Sequence, residues 1–292
     1  MKYQYIKQHR DQDLSLETTC KLLGVSRSGY YKWRNRAAGR SAQEHRECLL
    51  IRQVWEASGK TYGSPRIYHE LCVQGLKISQ KRVAKLMKKL GIAGAGKKRR
   101  KPQTTVSTAA HPVAERLFKT EASRAYDLAP NQIWAGDITY VRLIDNKCCY
   151  LSILLDIATR KITGYSIQSS LHATLTLDTL EMAIAQERPQ PGLIIHTDRG
   201  TQYTCQSYRE LVLQQGFNMS MSRKGNCYDN AFVESLFRSL KVELVNRCTF
   251  KSIKEARSAI FRYIVWYNGQ RRHSALGYIC PVDYEESITK RA

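Results

Sequence analysis

The order of predicted strands and helices after residue 131 restricts the fold of this chain more than any other feature. Three β-rich stretches come first, within QIWAGDITYVRLI and KCCYLSILLDIATRKITGYSIQ. The elements predicted next are a helix over about 172–186, the apolar strand LIIHT, a helix over about 206–215, a short strand over 218–221 and a further helix. A fourth strand that returns through a helix must lie parallel to one of the first strands. The order therefore predicts a mixed five-stranded sheet with helices on both sides.

Basic residues are concentrated in the first part of the chain. Residues 1–120 carry 26 basic and 8 acidic side chains, whereas residues 121–292 carry 21 and 17, within a total formal charge of +22. Such an excess favours a polyanionic partner, most often nucleic acid, because each neutralised phosphate releases counterions. A solvated basic surface and attraction to acidic lipid are the alternatives.

Cysteine usage and hydropathy indicate the class of protein. The nine cysteines are scattered without a C-x-x-C pair, so neither a disulfide framework nor a zinc site is predicted. The N-terminus has no apolar signal region, and no apolar run is long enough to span a membrane. These features predict a protein of a reduced cytoplasm with no membrane partner.

Residues 14–33, LSLETTCKLLGVSRSGYYKW, are typical of a small helix-turn-helix. Ser15 is placed to cap the first helix and Gly24 to make the turn. The second helix, after Ser26, is expected to present Arg27 and Ser28 to DNA. An ordinary helical hairpin with no DNA contact is the alternative.

Residues 44–92 predict a second helical unit of the same kind. One helix covers about 44–57, and another begins near Pro65 and ends near Gly75. The third, capped by Ser79, carries an apolar stripe and an opposite face with the candidate DNA contacts Lys81, Arg82 and Lys85. A solvated lysine-rich face is the alternative interpretation.

Three acidic residues fall on elements that the predicted sheet brings together. Asp137 lies in the first strand, Asp198 directly follows LIIHT, and Glu234 lies in the helix NAFVESLFRSLKVEL. Open α/β sheets form their sites at the carboxyl ends of strands, so pairing of the first and fourth strands brings Asp137 and Asp198 together. Carboxylate oxygens suit Mg²⁺ or Mn²⁺, and two such ions clamp the attacking and leaving oxygens of a phosphoryl displacement.

The helix that carries Glu234 has two cations on the same face. Glu234, Arg238 and Lys241 are spaced i, i+4 and i+7. One acid and two cations in a row suit a DNA phosphate that runs past a catalytic ion. The alternative is an exposed ion pair between Glu234 and Arg238, which contributes only about a few tenths of a kcal/mol.

Five motifs carry a family resemblance that covers nearly the whole chain. They are WAGDITYV, YLSILLDIATRKITGY, HTDRGTQY, SRKGNCYDNAFVESLFRSLKVE and YNGQRRHSALGYICPVDYE. The chain resembles the transposases of bacterial insertion sequences with a retroviral-integrase-like core, and more narrowly the second-reading-frame product of the family that uses two overlapping frames. The thirty-five residues between Asp198 and Glu234 match the spacing of this family's second and third catalytic acids.

The resemblance implies an RNase H-like core with a D-D-E triad. By position, the triad is Asp137, Asp198 and Glu234, which would hold Mg²⁺, with Mn²⁺ as a substitute. Lys241 matches a cation that contacts element-end DNA in such enzymes. Asp156 is the rival acid, and we interpret it as structural.

The implied activity is DNA transposition. The chain is expected to bind terminal inverted repeats and target DNA, and to cleave and transfer strands without a covalent enzyme intermediate. Arg199, Arg223 and Lys224 are further candidate DNA contacts, whereas Arg271 and its neighbours either contact DNA or cap a helix.

The resemblance also implies partners and a place in the cell. A homo-oligomer on DNA and an upstream-frame product are the expected partners, in the nucleoid-associated cytoplasm of a bacterium. A non-catalytic DNA-binding regulator and an RNase H-type hydrolase remain as alternatives.

Domain boundaries follow from changes in composition and from the resemblance. The expected segments are a small helix-turn-helix at 1–40, a second at 41–95, a basic flexible linker at 96–126, the RNase H-like core at 127–245 and a C-terminal helical extension at 246–292.

Overall fold

The structure is a computed structural model that describes residues 1–9, 15–96, 128–222 and 231–290. The chain forms two compact units, Met1–Gly94 and Ala95–Ala292. Most of the predicted linker at 96–126 lies outside the described residues.

The first unit is helical. Its helices are α1 (Lys2–Gln8), α2 (Leu16–Leu22), α3 (Arg27–Ala57), α4 (Ser64–Val73) and α5 (Gln80–Lys89). The side chains of Ser15, Ser26 and Ser79 cap α2, α3 and α5, each by accepting a hydrogen bond from a backbone N–H three residues later. All three caps were predicted from the sequence.

One helix of the first unit is longer than predicted. The helix after Ser26 and the helix expected over about 44–57 are a single helix of 31 residues, Arg27–Ala57, which crosses the predicted boundary at residue 40. The intervening sequence, RNRAAGRSAQ, has no proline and consists mostly of good helix formers. The single glycine, Gly39, costs about 1 kcal/mol in a helix and does not end it.

The second unit is built on the predicted mixed sheet. Its strands are β1 (Ile133–Arg142), β2 (Cys148–Asp156), β3 (Ile162–Gln168), β4 (Ile194–Thr197) and β5 (Asn218–Met221). The order across the sheet is β3-β2-β1-β4-β5. The meander β1-β2-β3 is antiparallel, whereas β4 pairs parallel with both β1 and β5, as the crossover through a helix requires.

Helices cover both faces of this sheet. They are α6 (Ala173–Glu187), α7 (Thr201–Thr204), α8 (Gln206–Gln214), α9 (Ala231–Glu243), α10 (Ile253–Gly269) and α11 (Pro281–Thr289). On one face, α9 and α10 pack against residues such as Ala135 and Leu151. On the other, α6 and α8 pack against Trp134 and Leu154. The alternation of β1 between the two cores follows from the period of a strand. The strand order and the helices on both faces are those of the RNase H-like fold that the resemblance implied.

Membrane-spanning helices and the state of the cysteines can be assessed in the described residues. Among them, no helix has the length and apolar character needed to cross a membrane. Eight cysteines lie in this part of the chain, and all eight are free thiols.

Candidate active site

The register of β1 and β4 determines where two of the acids lie. Ala135 is opposite His196 in the parallel pairing of these strands. Asp137 and Asp198 each follow two residues later in the same direction, so both reach the same end of the sheet. β4 ends at Thr197. From Asp137 onward, no described strand therefore pairs with β1 on that side. The two acids therefore share an open edge at the carboxyl end of β4.

Helix α9 brings the third acid toward this edge. Its apolar stripe is buried against the sheet and consists of Val233, Leu236, Phe237 and Leu240. Glu234 lies in the first turn, beside this stripe, and is half-buried. Arg238 on the next turn is exposed. The positive charge of Arg238 opposes the rise in the pKa of Glu234 that burial causes.

The electrostatic environment of Asp137 identifies Asp198 and Glu234 as its neighbours. Burial above all, together with the negative charges of Asp198 and Glu234, raises the pKa of Asp137 to about 7, against the lowering effects of the Ile138 N–H and Lys241. Burial also raises the pKa of Asp198 and of Glu234. The Asp198 residue is exposed to solvent as a whole, but protein atoms crowd its carboxyl group. This crowding raises the pKa of Asp198.

In two of the carboxylates, one of the two oxygen atoms accepts a hydrogen bond from a backbone N–H. The Oδ1 atom of Asp137 accepts a hydrogen bond of 2.7 Å from the Ile138 N–H, and the Oδ1 atom of Asp198 accepts one of 3.0 Å from the Gly200 N–H. No described group donates to the second oxygen of either carboxylate. Each acid is thus oriented by the backbone and presents one oxygen to the site.

The acids are near one another without forming a finished metal site. In the described part of the chain, no three His, Cys, Asp or Glu side chains lie close enough to hold one metal ion as they stand. Residues 223–230, which directly precede α9, lie outside the described residues, and the candidate contacts Arg223 and Lys224 are among them. The donor chemistry nevertheless suits a hard cation, because the groups near one another are carboxylate oxygens, the ligands that such cations prefer.

Hydrogen bonds between β4 and β5 fix the backbone below Asp198. The ring of the buried His196 lies 2.9 Å from the Ser220 hydroxyl and 3.1 Å from the Ser222 hydroxyl. Arg199 donates from Nε to the carbonyl oxygen of Ser222 at 2.8 Å. The predicted DNA contact Arg199 therefore also ties the loop after β4 to the end of β5.

Tyr203 lies beneath the site, and the sequence reasoning missed it. Its side chain is buried, and burial together with the charges of Asp137 and Asp198 raises its pKa. A Cβ atom added at Gly136 would lie 3.6 Å from its hydroxyl and 3.1 Å from Leu154 and Thr197. The signal available in the sequence was the tyrosine that ends the motif HTDRGTQY, shortly after Asp198.

Asp156, the rival acid, has a different environment. Its buried carboxylate accepts hydrogen bonds from the N–H groups of Asn131 at 2.6 Å and Thr159 at 2.8 Å, and from the Thr159 hydroxyl at 3.1 Å. These contacts tie the β2–β3 turn to the segment before β1. Both carboxylate oxygens accept hydrogen bonds from the protein, which agrees with the structural role expected for Asp156.

Cations and an aromatic ring lie beside the acids. The Nζ atom of Lys241 lies 5.0 Å from the centre of the Tyr140 ring, and the guanidinium of Arg142 lies 6.0 Å from it. Tyr140 is half exposed, at 49%. Tyr140 was not a candidate from the sequence, although its position three residues after Asp137 was visible.

Arg271, which the sequence left between DNA contact and helix capping, is buried. Its guanidinium donates to both carboxylate oxygens of Glu243, at 2.7 and 2.6 Å. Because the side chain is only 3% exposed, it is not on a surface that DNA reaches.

In the first unit, the candidate DNA contacts fall into two groups. Arg82 donates from Nε to Glu47 and from Nη2 to Glu44, both at 3.0 Å, so its charge is already paired. The predicted contacts on an exposed surface are Lys81, Lys85, Arg27 and Ser28. Arg27 pairs with Glu17 at 3.3 Å, but both side chains are more than half exposed, and such a pair is weak.

Comparison with known families agrees with the division of the chain into a helical first unit and a second unit built on a sheet. Integrase core domain families match residues 127–227 and 215–281, and an HTH-like domain family matches residues 42–101. The catalytic core domain of HTLV-2 integrase in complex with magnesium is similar with a TM-score of 0.44 and 18% identity, over 54% of this chain and 98% of that one.

Curated relatives match along almost the full length. The transposase InsF for insertion sequence IS3A of Escherichia coli K12 is 37% identical over 292 residues, which is 98% of each chain. An uncharacterized 31 kDa protein of insertion element IS600 from Shigella sonnei is 39% identical over 275 residues, 94% of this chain and 99% of that protein. The chain therefore belongs to the IS3 family of insertion-sequence transposases, with an integrase core and an HTH-like domain.

Proposed function

We propose that this transposase binds the terminal inverted repeats of its element and cleaves and transfers DNA strands through Asp137, Asp198 and Glu234. One observation carries the proposal. Asp137 on β1 feels the negative charges of Asp198, at the end of β4, and of Glu234, on α9, and the two aspartates lie at the same edge of the sheet. Structural ion pairs do not explain them, because no described cation lies within 4 Å of these carboxylates.

The proposed cofactor is Mg²⁺, for which Mn²⁺ would substitute. Asp137, Asp198 and Glu234 would hold it, since carboxylate oxygens are the ligands these cations prefer. When bound, the ion supplies positive charge at the attacking and leaving oxygens of a phosphodiester exchange. Repulsion among the acids would then be relieved.

The residues around the acids position the DNA. Lys241 and Arg238 follow Glu234 on α9, and we propose that they hold phosphates that flank the reacting one. The N–H groups of Ile138 and Gly200 fix the acids in orientation. Positioning and charge stabilisation provide the rate enhancement, so no nucleophilic side chain is required.

The proposed chemistry is two exchanges at phosphorus. Water attacks a phosphodiester at the element end, one P–O bond forms as another breaks, and a 3′-hydroxyl leaves. That hydroxyl then attacks a second phosphodiester, again with one bond made and one broken. No covalent bond to the protein forms at either step.

The first unit is proposed to recognise the terminal repeats. Lys81 and Lys85 lie on the exposed face of α5, and Arg27 and Ser28 lie at the exposed start of α3. Helix starts and lysine-rich faces after a turn suit phosphate contacts next to a groove. Arg199 from the core, with Arg223 and Lys224 outside the described residues, completes the proposed set of contacts.

Joining both ends of an element requires at least two active sites. We therefore propose that the chain acts as a homo-oligomer on DNA, in the nucleoid-associated cytoplasm of its bacterium. An overlapping upstream-frame product is a proposed further partner.

The test is a strand-cleavage and strand-transfer assay with purified protein and labelled duplexes that carry the terminal repeat. Wild-type protein with Mg²⁺ or Mn²⁺ should give nicked and joined products. Asp137→Asn, Asp198→Asn and Glu234→Gln should each lower the rate at least 100-fold while binding the duplex. Glu210→Gln is the matched control, since Glu210 is an exposed glutamate on α8 that accepts a hydrogen bond from Gln206 at 2.7 Å.

The same assay separates the alternatives. If wild-type protein binds the repeat duplex without cleaving it, and Glu234→Gln changes nothing, the chain is a regulator. If it degrades an RNA–DNA hybrid in preference to the repeat duplex, it is an RNase H-type hydrolase. Either result would overturn the proposal.

A further inference from the structure

A buried ion pair holds the end of α9 that lies away from Glu234. Glu243 is the last residue of α9, and Arg271 follows α10. The guanidinium donates from Nε to Oε2 at 2.7 Å and from Nη2 to Oε1 at 2.6 Å. The two side chains are only 6% and 3% exposed. A two-point contact of this kind fixes orientation as well as distance.

Aromatic residues of α10 complete the contact. The Tyr263 hydroxyl donates to Oε2 of Glu243 at 2.9 Å. The guanidinium of Arg271 lies 5.4 Å from the centre of the Tyr267 ring, and the ring of His273 meets Tyr267 edge-on at 4.6 Å. Arg271 and Tyr263, which both contact the Glu243 carboxylate, belong to the C-terminal extension.

The C-terminal extension is itself fastened to the far edge of the sheet. The Asn268 side chain pairs with the backbone of Ile162 on β3, donating to its carbonyl oxygen and accepting from its N–H, both at 2.9 Å. Arg257 donates to the carbonyl oxygen of Ile167 on the same strand at 3.0 Å. Helix α10 thus connects the sheet edge at β3 with the end of α9.

Helix geometry relates this anchor to the acid. Glu243 lies nine residues after Glu234, which corresponds to about 900° of rotation and a rise of about 13.5 Å. The two glutamates therefore point to opposite sides of α9. A roll of about 20° about the helix axis would move a side-chain tip 5–6 Å from that axis by about 2 Å. Errors of this size are enough to impair catalysis.

We propose that Arg271 and Glu243 are positioning residues that set the rotation of α9 and so aim Glu234 at Asp137 and Asp198. This inference rests on the proposed function for its catalytic consequence. Its structural part, that the pair anchors α9, stands on the contacts alone. The C-terminal extension thus stabilises the position of the helix that carries Glu234.

The experiment has one arm that does not need activity. Hydrogen exchange is compared for full-length wild type, Arg271→Met, Glu243→Gln and Lys161→Met. Lys161 is the matched control, because its ion pairs with Glu187 and Glu285 are also largely buried and do not involve α9. Arg271→Met and Glu243→Gln should speed exchange in peptides from α9 at least tenfold relative to those from β1, and Lys161→Met should not.

The second arm measures strand transfer per folded molecule. Arg271→Met should lower kcat at least tenfold with little change in KM for the repeat duplex. Arg271→Lys should recover only part of the lost kcat. Lys161→Met is compared with Arg271→Met at temperatures equally far below the Tm of each variant. It should keep a kcat near that of wild type.

The two proposals fail in different ways. Unchanged α9 exchange in both Arg271→Met and Glu243→Gln overturns the inference whether or not wild-type protein is active. Faster α9 exchange with kcat equal to that of Lys161→Met leaves an anchor with no catalytic role and also overturns it. Inactive wild-type protein overturns the proposed function, and the hydrogen-exchange arm then still decides whether the pair anchors α9.

Discussion

The ammonium group of Lys241 lies 5.0 Å from the centre of the Tyr140 ring, which places a cation from α9 over an aromatic side chain from β1. Arg142 approaches the same ring at 6.0 Å. The ring is half exposed and lies three residues beyond Asp137 on the strand. A cation and an accessible aromatic face together suit a nucleic acid strand, whose phosphates and bases they contact respectively.

The first prediction concerns this contact. Lys241→Gln should weaken binding of the repeat duplex and reduce the slope of log affinity against log salt by about 0.9, because one phosphate contact is lost. Tyr140→Ala should weaken binding with a smaller change in slope, whereas Tyr140→Phe should behave as wild type. Fluorescence anisotropy at several salt concentrations measures both quantities.

The control for this prediction is Lys254→Gln, which removes an exposed lysine of α10. It should leave the salt slope within error of wild type. An equal loss of slope in Lys254→Gln and Lys241→Gln would show a diffuse effect of net charge instead of a defined contact.

Periodicity and turn chemistry predicted most of the core fold. The crossover rule predicted that β4 lies parallel to one of the first three strands. In the structure that strand is β1, and this pairing brings Asp137 and Asp198 to one edge. The continuous α3 was not predicted, because a domain boundary was expected at residue 40, inside this helix, and only packing decides such cases. Tyr203 and the Glu243–Arg271 pair were missed for a related reason. Both depend on contacts between residues far apart in the chain, which no local pattern encodes.

The second prediction concerns pH and the stability of metal-free protein. The folded-state pKa of Asp137 is raised to about 7 from its ordinary value of 3.8. The folded state therefore keeps a proton that the unfolded state has released over this window. The contribution to stability is fully present below about pH 4 and is lost as pH rises through 7, at up to roughly 1.4 kcal/mol per pH unit.

Urea unfolding in the presence of a chelator measures this effect. The free energy of unfolding of wild-type protein should fall between pH 5 and pH 8. In Asp137→Asn the fall should be smaller, so that the variant is more stable than wild type at pH 8, by on the order of 1–3 kcal/mol. A variant that is less stable than wild type at pH 8 would contradict the raised pKa.

The third prediction separates Asp156 from the triad. Asp156→Asn replaces one carboxylate oxygen with an NH₂ group that faces a backbone N–H or hydroxyl donor, so a buried hydrogen bond is lost. The free energy of unfolding should fall by about 1–3 kcal/mol. Strand transfer per folded molecule, measured below the lowered Tm, should stay within about threefold of wild type. A loss as large as that of Asp137→Asn would place Asp156 in the catalytic set.

The fourth prediction concerns the close approach of α6 to β3. A Cβ atom at Gly164 would lie 2.4 Å from the Thr179 carbonyl oxygen and 2.8 Å from the Ala183 side chain, distances that require the helix to move. Gly164→Ala should lower the free energy of unfolding by about 1–3 kcal/mol, as overpacking does in well-packed cores. Gly39→Ala is the matched control, because Gly39 lies inside α3 with nothing within 4 Å of its Cβ position, and alanine there should stabilise the helix by about 0.5–1 kcal/mol. Thermal unfolding followed by circular dichroism measures both variants, and an unchanged Tm in Gly164→Ala would show that α6 moves away from β3 without cost.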